Sequence, residues 1–101
     1  MRDEDELTAA VRKFVGQVSH WTPSRWAASS PSGAPRADLV FGLVQRLAEM
    51  SPAVAGRRVP RLDNDLGLPD QLRVVAADVL TDAPARAPEA AKAIKSIRQA
   101  L

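Results

Sequence analysis

Apolar residues recur along this chain at helical spacing, and no stretch alternates apolar and polar residues as a half-buried strand would. Leu7, Val11, Phe14, Val18 and Trp21 follow one another at intervals of four, three, four and three, which places them on one face of a helix running from about Asp5 to Trp21. Asp3 and Glu6 have capping-box spacing, and acids there complement the positive end of the helix dipole. Thr22 and Pro23 then interrupt the pattern. A threonine cap followed by proline at the first helical position predicts one short turn carrying Trp26, and SSPSGAP at Ser29–Pro35 reads as a loop.

A second helix is predicted over Arg36 to Met50. Leu39, Val40, Leu43, Val44 and Leu47 form a wide face, with Phe41 nearly opposite its centre. A helix apolar on two sides is either central or shared, so Phe41 is a candidate partner surface. Ser51 and Pro52 are expected to open a single turn closed by Gly56. A third helix follows Pro69 with Leu72, Val75, Ala76 and Val79 on one face. A fourth, from about Pro88 to Leu101, sets Ala90, Ile94, Ile97 and Leu101 against Lys92, Lys95 and Arg98. The expected fold is all-α: one domain over residues 1–101, a small bundle of four main helices with one or two short turns, an acidic tail at 1–4 and an irregular connector at 51–68.

The densest charge lies in that connector. RRVPRLDNDLGLPD, from Arg57 to Asp70, sets Arg57, Arg58 and Arg61 beside Asp63, Asp65 and Asp70. Long irregular connectors are uncommon in small domains and are often functional. The arginines suit phosphate, because guanidinium groups fork onto its oxygens and stay charged. Against this stands mutual neutralisation, in which the aspartates pair with the arginines and pin the connector to the helices. Asp63, Asn64 and Asp65 do not make an EF-hand, which needs glycine at the sixth position and glutamate at the twelfth. Counting from Asp63, those positions hold Leu68 and Val74.

Two segments, HWTPSRWA at His20–Ala27 and VPRLDNDLGLPDQLRVVA at Val59–Ala76, with the RADLVFGLVQRLA helix between them, resemble short actinobacterial proteins. The resemblance covers the middle half of the chain and implies a small helical protein of the bacterial cytoplasm. That group has no assigned activity, so no residue takes a role from it.

Composition narrows the chemistry. A hydrophobic fraction of 46% over 101 residues is ordinary for one globular domain, and the absence of cysteine removes thiol catalysis and cysteine-ligated metals. The longest apolar run, Leu39 to Val44, falls far short of the roughly 20 residues that span a bilayer. The acidic opening MRDEDEL lacks the basic end of a secretory signal, so a cytoplasmic location is expected and no membrane partner. His20 is the only histidine and no glycine-rich phosphate loop occurs, so neither an enzyme, a cofactor nor a metal is expected. Helix-turn-helix binding is disfavoured because the connector is too long and the step from Thr81 to Ala87 also reads as long. The expected role is a protein-interaction module that meets another protein, or a second copy, through Trp26, Phe41, Arg57, Arg58, Arg61, Asp63 and Asp65. The alternative is nucleic-acid or phosphate binding through Arg57, Arg58, Arg61, Lys92, Lys95 and Arg98.

Overall fold

Thr22 starts the event that shapes the first half of the chain. A residue before proline is driven to extended backbone, and Thr22 sits at φ −77° and ψ 162°, with its hydroxyl accepting a hydrogen bond from the Arg25 amide at 3.3 Å. The first helix, α1 (Asp3–Val18), therefore stops three residues before Trp21, and a short helix, α2 (Pro23–Ala27), begins. The remaining helices are α3 (Arg36–Met50), α4 (Leu68–Asp82) and α5 (Ala87–Ala100), with 3-10 turns at Asp65–Gly67 and Pro84–Arg86. The structure is a computed structural model and describes residues 3–51 and 59–101. Among these the sole β feature is an isolated bridge between Ser29 and Pro35, so the chain is a small all-α bundle. No described helix is long and apolar enough to cross a membrane.

The core follows the sequence stripes. Leu7, Phe14 and Val18 of α1 meet Val40, Leu43, Val44 and Leu47 of α3, Leu72 and Val79 of α4, and Ile94 of α5 in one continuous cluster. The tryptophan of the short helix belongs to it too. Trp26 is fully buried, its ring edge-on to Trp21 at 4.9 Å, which corrects the expectation that it faces a partner. The capped turn folds α2 back onto the bundle and carries the indole inside. Arg25 and Arg36 cover Trp21 instead, with their guanidinium carbons 5.1 and 5.6 Å from its ring centre.

Helix α3 runs parallel to α4. At one end Ser51, which closes α3, donates its buried hydroxyl to Asp82 at the end of α4, 2.7 Å away. At the other end Arg61 links Asp38 in the first turn of α3 to Asp65, just ahead of α4. Parallel helices cannot be joined by a tight turn. The chain must return along the whole of α3, about 22 Å for 15 residues at 1.5 Å each, and this is the physical reason for the long connector. Helix α5 runs antiparallel to α3, because Arg36 at the start of α3 donates to the carbonyl of Leu101 at 3.1 Å. The buried face of α5 is largely alanine, Ala87, Ala90, Ala91 and Ala93, which permits close approach to α1.

Three boundaries differ from expectation. Asp3 and Glu4 belong to α1 rather than to a tail. The described part of the connector, from Val59, is irregular only as far as Asn64, whose side chain accepts from the Leu66 amide at 2.9 Å and caps the 3-10 turn, and α4 already begins at Leu68. Thr81 and Asp82 extend α4, so only Ala83 and the Pro84–Arg86 turn separate α4 from α5. That step is short, and its length no longer argues against helix-turn-helix geometry. The expected turn from Pro52 to Gly56 lies outside the described residues, as do Arg57 and Arg58.

Candidate functional site

Val59 brings the connector onto α3 through a single side chain. The Gln45 amide group donates to the Val59 carbonyl and accepts from the Val59 N–H at 3.3 Å, pairing both backbone groups as a neighbouring strand would. Pro60 accepts from Gln71 Nε2 of α4 at 3.0 Å. Arg61 then donates to Asp38 at 3.1 Å and to Asp65 at 3.2 Å, and its guanidinium lies over the Phe41 ring, 5.0 Å from the centre. Phe41 is half-buried against the core beneath that cation. Arg61 therefore meets two carboxylates and one aromatic face, the pinning arrangement, with Asp38 as a partner the sequence did not suggest. Asp70 pairs with Arg73 on its own helix at 2.8 Å, whereas Asp63 is exposed and forms no ion pair among the described residues.

Beside this pinned segment an apolar surface is left open. The exposed large hydrophobic side chains of the described residues are Leu62, Leu66 and Val74, at 43, 44 and 60% exposure, and they belong to the connector and α4. Leu62 and Val74 border an open depression of about 510 Å³ whose walls also include Val59, Pro60 and Val75, with Asp70 and Asp78 at its edge. Gly67 shapes this wall. A methyl group there would fall 2.6 Å from the tip of Leu62, so glycine lets that leucine lie across the turn. Gln71, whose Nε2 is engaged by Pro60, has its Oε1 buried at the same depression with no hydrogen-bond partner among the described residues.

The charged side of α5 forms a separate region. Lys92 and Lys95 are exposed and Arg98 is partly so. Lys95 borders two shallow depressions, one shared with Arg98 and with Glu6 and Lys13 of α1, the other with Lys92, Gln99 and Arg46 of α3. Among the described residues none of Lys13, Arg46, Lys92, Lys95 and Arg98 forms an ion pair. Glu89 is taken up by Arg86, which forks onto it at 3.1 and 3.2 Å. That hydrogen bonding, aided by the charges of Arg86 and Arg46, holds the Glu89 carboxyl below its usual range.

The structure thus divides the candidate polyanion residues, keeping Lys92, Lys95 and Arg98 together and setting Arg61 among carboxylates. Arg46 and Lys13 escaped sequence reasoning because only the packing of α1 and α3 against α5 places them there. His20 is exposed on the turn between α1 and α2. Compared with protein-family models, with curated proteins and with solved structures, the chain matches none.

Proposed function

We propose that this chain is a small non-catalytic module of the bacterial cytoplasm that binds another protein through the depression between the connector and α4. The observation that carries this reading is that Leu62 and Val74, two of the three large apolar side chains left exposed among the described residues, border one depression. Isolated surface leucines are ordinary, but apolar side chains around a shaped depression favour association. An amphipathic helix of the partner suits the site: apolar side chains at helical spacing would enter between Leu62 and Val74, and a basic flank would meet Asp70 and Asp78. The connector residues Arg61 and Asp65 hold this wall in place, while Phe41 lies under Arg61.

Site-specific photo-crosslinking in cells tests the reading. A photoreactive residue at Val74 or Leu62 should yield one discrete protein adduct that the exposed control position Gln17 does not, and Val74→Asp should abolish the Leu62 adduct while helical circular dichroism is retained. Adducts of equal yield from all three positions, or none from Val74 and Leu62, would overturn it.

A further inference from the structure

We infer that the outer face of α5, widened by Arg46 and Lys13, is a binding surface for the phosphate backbone of nucleic acid. Lys92, Lys95 and Arg98 recur at every third position, so they rise about 9 Å along one side of the helix. Helices α1 and α3 flank α5, and packed helices lie about 8–10 Å apart, so Lys13 and Arg46 extend the positive face sideways rather than along it. Among the described side chains the acids bordering these two depressions are Glu6 and Glu89, the latter forked by Arg86, and Glu49 lies one turn along α3 from Arg46. Ser96 and Gln99 lie between the cations and add uncharged hydrogen-bond donors of the kind that contact phosphate oxygens.

The same geometry selects what is read. A helix of about 10–12 Å diameter fills a major groove of about 12 Å only when it stands clear of its neighbours. Here α1 and α3 lie alongside. The step from α4 to α5 has helix-turn-helix length, but the first turn of α5, which would reach base edges, carries Pro88 and the anionic Glu89. The contact is therefore with phosphates across a broad, shallow face, and it discriminates little between sequences. Arg61, engaged by Asp38 and Asp65, takes no part.

Fluorescence anisotropy of a short labelled duplex, titrated with the full chain, tests this. Five phosphate contacts give a slope of log affinity on log salt of about −4.5, so binding should weaken by about 500-fold between about 50 and 200 mM salt. Lys95→Gln with Arg46→Gln should lower low-salt affinity at least tenfold and make the slope less steep by about 2, whereas Arg12→Gln, on another side of α1, should change neither. Helical circular dichroism must be unchanged in both variants, and Lys92→Gln with Arg98→Gln provides a second pair should the first fail to fold. Absence of binding at low salt, equal losses from Arg12→Gln, or binding to phosphatidylserine vesicles without binding to the duplex would overturn the inference.

Discussion

The Gln45 side chain of α3 holds both backbone groups of Val59, its carboxamide oxygen accepting the N–H and its nitrogen donating to the carbonyl. One residue thereby attaches the returning connector to the bundle at the edge of the apolar depression, where Val59 forms part of the wall. A carboxamide suits this role because it carries a donor and an acceptor side by side.

Gln45→Ala removes both bonds at once and leaves two backbone groups in a partly buried position. The expected cost is about 1–3 kcal/mol in urea denaturation, with faster hydrogen exchange at the Val59 amide. Gln45→Glu keeps the acceptor for the Val59 N–H but sets a carboxylate oxygen against the Val59 carbonyl, so it should also be less stable than wild type. Equal stability of wild type and Gln45→Ala would show that the connector is held by other contacts.

Among the described residues the buried Trp26 indole nitrogen has no hydrogen-bond partner, so the ring is retained for its volume rather than for its N–H. Trp26→Ala should cost about 3–5 kcal/mol, as large aromatic truncations in cores do. Trp26→Phe also removes the unpaired donor, which offsets part of the lost contact, and should cost well below half of that. Chemical denaturation of the two variants decides between this arrangement and an exposed indole, for which both substitutions would be nearly silent.

Glu89 gives a pH dependence of definite sign. Hydrogen bonding by Arg86, with the charges of Arg86 and Arg46, favours the carboxylate and lowers its pKa in the fold relative to the unfolded chain. The stabilisation this adds is present above the unfolded value and is lost as pH falls through the lower folded value. Arg86→Ala should raise the Glu89 midpoint in an NMR titration of the carboxyl carbon, and Arg46→Ala should raise it less. An unmoved midpoint in Arg86→Ala would show that the fork does not persist in solution.

The helices were legible because each buries a stripe with a regular period: the predicted span of α3, Arg36 to Met50, is the one observed, and Leu7, Phe14 and Val18 are all buried. Trp26 was misread because periodicity carries no information across a capped turn, and the direction in which α2 folds is set by tertiary packing. The connector drew attention for its charge, whereas its length follows from the parallel run of α3 and α4, which no local pattern announces. Arg46 and Lys13 stand far from Lys95 in sequence and join it only because α3 and α1 lie on either side of α5. The Arg61–Asp65 pair was readable from neighbouring charges, but its third member, Asp38, required the fold.

The parallel course of α3 and α4 makes the segment between them unequal in its tolerance of insertion and deletion. Lengthening such a link costs little, about 0.6 kcal/mol for each doubling. Shortening meets a hard limit, because at roughly 3.3–3.6 Å per residue a fully stretched chain needs about seven residues merely to return along α3, with none left over to reach Gln45 and Asp38 on the way. Length changes that accumulate in this protein over time should therefore be additions at the connector, while the step between α4 and α5 keeps its size.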